Sequence, residues 1–192
     1  MTQVVLGSAS PRRHDLLKAI GVEFVVREPD IDETPLEGES PIAYVMRLAS
    51  AKAAAVTATD DELVIAADTT VDLDSHILGK PVDPSEAESM LRRLSGETHR
   101  VHTGVAVRRN GHELVEASST LVTFIDLDDA TIQWYLSTGE PMGKAGAYAL
   151  QGAGASLVSS VHGSVSNVIG LPMHVVIELA ARAGVDLLQS AG

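Results

Sequence analysis

Three stretches of this sequence gather residues able to do chemistry. The first is Leu6-Gly7-Ser8-Ala9-Ser10-Pro11-Arg12-Arg13. Ser10 stands where a helix N-cap belongs and Pro11 at the first helical position, so Arg12 and Arg13 fall in the first turn. Unpaired N–H groups make that turn electropositive, and acidic residues are favoured there. Two arginines add repulsion instead, which makes sense if backbone N–H groups and two guanidinium forks hold an anion. Two solvated arginines on a surface turn remain the alternative.

The second stretch is Leu63-Val64-Ile65-Ala66-Ala67-Asp68-Thr69-Thr70-Val71-Asp72. Five apolar residues without alternation read as a central strand covered on both faces, ending in a carboxylate. Ligands of open α/β sheets bind beyond the carboxyl ends of strands, which places Asp68 for chemistry. A carboxylate capping a turn is the other reading, but it leaves the desolvation cost without a return. Alternation sends Asp68, Thr70 and Asp72 to one side, Thr69 and Val71 to the other. The third stretch, 139–154, holds five glycines and Lys144. It resembles a Walker A loop superficially, but the spacing is one residue short and no Ser or Thr follows the lysine. Gln151, with one acceptor and two donors, could read a base, or be an ordinary loop glutamine.

The elements between must position these groups. Val4-Val5-Leu6 is a buried strand, and Leu16, Leu17 and Ile20 give the first helix its buried side. A second strand follows over 23–26. An acidic, proline-bearing loop spans 28–39; most of its carboxylates read as solvated, although one or two could turn inward to a metal. A helix over 40–57 buries Ile42, Val45, Met46, Ala49, Ala53 and Val56, with Lys52 at the edge of that stripe and Arg47 opposite. Lys80, in Leu78-Gly79-Lys80-Pro81, is aimed by its backbone. Asp83-Pro84-Ser85-Glu86 caps a structural helix. Residues 98–107 alternate as a strand, Asn110-Gly111 turns a hairpin, and 113–124 returns. His99 and His102 point to opposite strand faces, which argues against a shared metal. A helix runs over 128–137, a strand includes Leu157-Val158, and a last helix ends near Gly184.

Composition narrows the function further. At 192 residues, 45% of them apolar, the chain is long enough for one domain with a substantial core. A net charge of −12 argues against a broad nucleic-acid surface, so an anionic ligand must be met by a local cluster of cations. The absence of cysteine excludes disulfide and thiolate chemistry. No run approaches a membrane span and no signal peptide is visible, so a cytoplasmic protein with no membrane partner is expected. Arg12, Arg13, Lys52 and Lys80, with a strand-end aspartate, meet the needs of a triphosphate site.

Ser8-Ala9-Ser10-Pro11-Arg12-Arg13, Ala67-Asp68-Thr69-Thr70-Val71, Leu78-Gly79-Lys80-Pro81 and Gly143-Lys144-Ala145-Gly146-Ala147-Tyr148 resemble the signatures of the Maf family of nucleoside triphosphate pyrophosphatases. Gly163-Ser164-Val165-Ser166-Asn167-Val168-Ile169-Gly170-Leu171-Pro172 is similar to its C-terminal signature. The resemblance spans practically the whole chain and implies one domain over residues 1–192. The implied fold is inosine-triphosphatase-like α/β: an elongated mixed sheet flanked by helices, with two lobes around a cleft. It implies hydrolysis of a nucleoside triphosphate between the α and β phosphates, with a divalent cation, Mg2+ or Mn2+. Asp68 falls on the family's general base, Glu33 on an acidic position that helps hold metal or water, and Arg13, Lys52 and Lys80 on the phosphate-neutralising cations. Ser8 and Ser10 lie within the signature that meets substrate. Arg12, Thr69 and Gln151 fall on positions of base selection, and their types resemble the subgroup acting on dTTP and UTP. Ala147, Ala149 and Leu150 depart from a loop often richer in glycine. An aspartate is a weak base at neutral pH, so Asp68 as base and Asp68 as metal ligand both stay open. Two alternatives are kept: a nucleotide-binding regulator of septum formation, and a pyrophosphatase for modified purines such as 7-methyl-GTP. A homodimer is left open.

Overall fold

Strand β1 (Val4–Gly7) is flanked in parallel by β2 (Phe24–Val26) and by β3 (Leu63–Leu73). The chain leaves β1 through helix α1 (Pro11–Ala19) to reach β2 on one side, then returns through α2 (Pro41–Ala55) to β3 on the other. Right-handed crossovers running in opposite directions place their helices on opposite faces of a sheet. Leu17 of α1 accordingly packs with Val4, Leu6, Leu63 and Ile65, whereas Ala49 and Ala53 of α2 pack with Val5, Val64 and Ala66. The carboxyl end of β1, beside the middle of β3, thus forms a topological switch point, the place where an open sheet has a crevice for ligand.

The computed structural model describes residues 2–189; residue 1 and residues 190–192 of the expected domain lie outside the described residues. Beyond β3 the sheet is antiparallel. The hairpin strand β4 (His76–Leu78) pairs residues 71–73 of β3, and β5 (Thr98–Arg109) pairs residues 64–72 along its other edge. Strands β6 (His112–Phe124) and β7 (Val158–His162) complete the order β2-β1-β3-β5-β6-β7, seven strands with β4. Asn110 and Gly111 turn the β5–β6 hairpin with φ of 51° and 72°, as a two-residue primed turn requires.

The expected strand end at Ala67 is corrected: β3 continues to Leu73, so Asp68 is mid-strand. The antiparallel ladder to β5 sustains it after β1 departs. Parallel pairing with β1 stops at Ala66 and pairing with β4 begins at Val71. Asp68 and Thr69 therefore lie in a gap along one edge of β3.

On the α1 face the core is split at that gap. One cluster, around Ile65, includes α1, Leu171 and helix α6 (Met173–Arg182). The other, around Val71 and Val101, includes helices α3 (Pro84–Leu94) and α4 (Asp129–Ser137). A short helix, α5 (Val165–Ile169), precedes α6. The result is the expected architecture of an elongated mixed sheet with two lobes about a cleft. The burial pattern of α2 differs in detail from the sequence reading: Ile42 is 44% exposed, while Leu48 and Lys52 join the buried side.

Candidate active site

The cleft at the switch point is a cavity of about 390 Å3. Its polar end is built from four segments. Lys52 leans from α2 over the β3 gap, its Nζ 2.5 Å from Asp68 Oδ1 and 2.6 Å from Glu33 Oε1. A helical side chain points back toward the N-terminus of its helix, which carries the ammonium along α2 to the aspartate. Lys80, following β4, brings its Nζ to 3.5 Å from Glu33 Oε2. Lysine at the edge of an apolar stripe usually snorkels to solvent; here Lys52 is buried and doubly ion-paired.

The acidic loop is not wholly solvated. Tyr44 donates its hydroxyl to the Glu33 carbonyl at 2.9 Å, and Arg47 binds both Glu39 oxygens at 2.7 Å and the Thr34 carbonyl at 3.2 Å. These contacts fix the loop against α2 and turn Glu33 inward. Burial raises the Glu33 pKa, but Lys52 and Lys80 outweigh it and hold the carboxyl below its usual range. The Tyr44 phenol is pushed up to about 12, first by burial and then by the Asp68 and Glu33 charges.

Arg13 is 8% exposed. Its Nε donates to the Gly170 carbonyl at 2.8 Å, Nη1 to Ser8 Oγ at 2.9 Å and Nη2 to Thr69 Oγ1 at 3.2 Å. Burial lowers its pKa, Asp68 opposes that, and Arg12 repels it. Arg12 makes a longer bond, Nε to the Ile169 carbonyl at 3.4 Å. Ser10 does cap α1 by position, but its side chain makes no capping bond; its backbone N–H donates to Ser8 Oγ at 3.2 Å.

Ser8, Ser10, Arg12, Arg13, Glu33, Lys52, Asp68, Thr69, Lys80 and Gln151 all line this one cavity. Four residues escaped the sequence reading as members of the site or its support. Lys144 lines the cavity from the glycine loop. Glu140 pins that loop, accepting from the Tyr135 hydroxyl and from Ala153 and Gly154 N–H groups at 2.8–2.9 Å. Thr103 binds Thr69, and Asn167 receives Thr103. The cluster of glycines signalled the loop; nothing in sequence spacing signalled Thr103 or Asn167. His99 and His102 diverge as expected. His99 Nε2 meets the Tyr148 hydroxyl at 2.9 Å, and His102 bonds Ser119 and Asp72 on the other face.

Sheet, switch point and cation-lined cleft define an α/β protein built to take a polyanionic ligand. The chain belongs to the Maf-like proteins, whose family model matches residues 3–183. A dTTP/UTP pyrophosphatase of Symbiobacterium thermophilum is 48% identical over 185 residues, 96% of this chain and 95% of the relative. One of the same name from Anaeromyxobacter dehalogenans is 51% identical over 189 residues, 96% of each chain. Among solved structures, a HAM1 protein from Coxiella burnetii is 18% identical, covers 65% of this chain and 73% of its own, and has a TM-score of 0.45. No described helix is long and apolar enough to cross a membrane.

Proposed function

We propose that this chain is a nucleoside triphosphate pyrophosphatase that hydrolyses dTTP and UTP to the monophosphate and pyrophosphate. The observation that carries the reading is the convergence of Lys52, Asp68 and Glu33 within ion-pair distance, in a gap of the sheet beside a buried arginine. Relatives about half identical over nearly the whole chain are named for that activity.

In the reaction, a water oxygen attacks the α-phosphorus and the bond to the α–β bridging oxygen breaks. The water's proton passes to a carboxylate, and pyrophosphate leaves with the bond's electron pair. Asp68, in the gap, is the carboxylate placed to orient the water and take the proton. Arg13, Lys52 and Lys80 neutralise the phosphates, and Ser8 and Ser10 supply donors at the start of α1. Lys52 holds two carboxylates in register, so a triphosphate entering the cleft finds Asp68 and Glu33 already positioned. Arg12, Thr69 and Gln151 select the base.

Asp68 and Glu33 also fit a divalent cation, Mg2+ or Mn2+. Both carboxylates already converge on one positive charge, and hard oxygen donors suit such ions. No group of three or more His, Cys, Asp or Glu able to hold a metal occurs among the described residues. An ion held by one or two carboxylates, with substrate phosphates completing the shell, matches that donor set. When bound, it supplies charge neutralisation on the phosphates. The same reading makes the protein a cytoplasmic enzyme whose partner is a small nucleotide, not nucleic acid or membrane. Sedimentation of the purified chain tests whether it forms a homodimer.

The decisive measurement is pyrophosphate release from a nucleotide panel with Mg2+ or Mn2+. Asp68→Asn should lower kcat by about 10^3-fold or more while the thermal melt stays cooperative, as for loss of a reacting group. Retention of most activity removes Asp68 from the mechanism.

A further inference from the structure

Five cationic side chains line the cleft, and they fall into two sets. Lys52 and Lys80 face carboxylates, and Arg13 is held by Ser8, Thr69 and the Gly170 carbonyl. Lys144 and Arg12 make no ion pair among the described residues. The Lys144 Nζ reaches the Met142 carbonyl at 3.3 Å. Glu140, the carboxylate whose field both cations feel, has its oxygens committed to the Tyr135 hydroxyl and two loop N–H groups. Burial lowers the Lys144 pKa, and Arg12 lowers it further. A half-buried ammonium facing a guanidinium has three N–H donors, and the Met142 carbonyl satisfies one of them, which leaves room for a further acceptor.

The surroundings say which acceptor. Part of the wall of the cavity that Lys144 lines is apolar, with Ala145, Tyr148, Ala149, Leu150, Val168 and Ile169 among its residues. Such a wall suits the face of a flat ring and would strip water from a phosphate at a cost. The loop is also rigidly placed. Gly146, at φ +67°, donates to the Gly79 carbonyl at 3.1 Å, and a Cβ there would lie 2.8 Å from Val71 Cγ2. Lys144 is thus tied to the same β-strand that carries Asp68.

We propose that Lys144 is a specificity-determining residue that donates a hydrogen bond to the O4 carbonyl of a uracil or thymine ring. This rests on the reaction proposed above. An ammonium is a donor only, so it rewards a carbonyl and opposes an amino group. Cytosine carries an amino group at that ring position, where donor would face donor. Gln151 on the same loop can both donate and accept, and so serves the ring N–H that flanks the carbonyl. The pocket then discriminates by setting a half-buried donor against the amino group of the wrong base.

Pyrophosphate release from UTP and CTP tests this in the wild type, Lys144→Met and Lys144→Arg. Lys144→Met should lower kcat/KM for UTP about 10- to 100-fold while leaving CTP within about twofold, and Lys144→Arg should restore most of the preference. Equal losses on both nucleotides would overturn the assignment, as would an unchanged UTP to CTP ratio. Calorimetric binding of UTP and CTP without divalent cation separates recognition from reaction. A lysine-dependent preference for UTP in binding, without pyrophosphate release, overturns the proposed reaction and keeps the role of Lys144.

Discussion

At the scale of single residues, the orientation of Arg13 depends on a chain of hydroxyls with a fixed direction. The Thr103 hydroxyl donates to the Asn167 carbonyl at 3.0 Å, which leaves its oxygen to accept the Thr69 proton at 2.9 Å, a closer acceptor than the Gly170 carbonyl at 3.4 Å. Thr69 is then left to accept from Arg13 Nη2. Chains of this kind polarise one another, and a break at one link weakens the next. Thr103→Val removes the link without touching the cleft. Losing about 1 kcal/mol of ordering should raise KM for nucleotide roughly fivefold, with a smaller change in kcat. Thr103→Ser should return KM toward the wild-type value, which a purely structural role for the threonine methyl would not produce. An unchanged KM in Thr103→Val would show that Arg13 is held without the chain. Arg13 itself was legible in the sequence, because two arginines in a helix's first turn contradict the dipole. Thr103 was not: strand alternation places it among valines, and its partner Thr69 lies 34 positions away.

Among the elements, α2 decides whether the site exists, and it can do so because of one glycine. Gly104 of β5 is in register with Asp68 of β3. A Cβ on Gly104 would fall 2.2 Å from the Val45 carbonyl oxygen and 2.5 Å from its carbon, both backbone atoms of α2. Helix and sheet therefore touch beside Asp68, the residue that Lys52 reaches from two turns further along α2. Gly104→Ala must lift the helix, since no flexible side chain can move aside instead. The expected cost is about 1–3 kcal/mol, or a fall in Tm of roughly 2–12 °C. Activity at a temperature where the variant is still folded should fall by more than the unfolded fraction, because Lys52 is displaced from Asp68. Full activity below the lowered Tm would mean that α2 need not sit so close. Most elements were legible in the sequence, from caps such as Asp83-Pro84 and from the Asn110-Gly111 turn. The extent of β3 was not. An apolar run ending in Asp68 reads as a strand end, and only tertiary pairing, with β5 as far as Asp72 and with β4 over 71–73, carries it on to Leu73.

For the molecule as a whole, two lobes on one face must keep their spacing, and pH is the condition that probes it. The sequence showed an acidic chain with a local cationic cluster, but burial of individual histidines depends on packing between distant segments. His99 is buried between Phe124 and Tyr148, its ring centroid 5.1 Å and 5.4 Å from theirs. Its Nε2 meets the Tyr148 hydroxyl, and its Nδ1 has no partner among the described residues. Tyr148 belongs to the glycine loop, so the neutral imidazole joins that loop to the sheet. Burial pushes the His99 pKa down to about 4 from 6.5. A depressed folded-state pKa means that the unfolded chain takes up the proton first as pH falls. The stability from a neutral His99 is therefore whole above pH 6.5 and is lost between about 6.5 and 4. A shift of that size corresponds to about 3 kcal/mol across the window. Urea melts of the wild type from pH 7 to pH 4 should show this loss, together with an earlier decline in nucleotide turnover as the loop bearing Lys144 and Gln151 loosens. His99→Gln, which cannot titrate, should lower stability at pH 7 but flatten the dependence by about one proton between pH 6.5 and 4. A slope in the variant as steep as in the wild type would assign the acid sensitivity to other groups and leave His99 as packing alone.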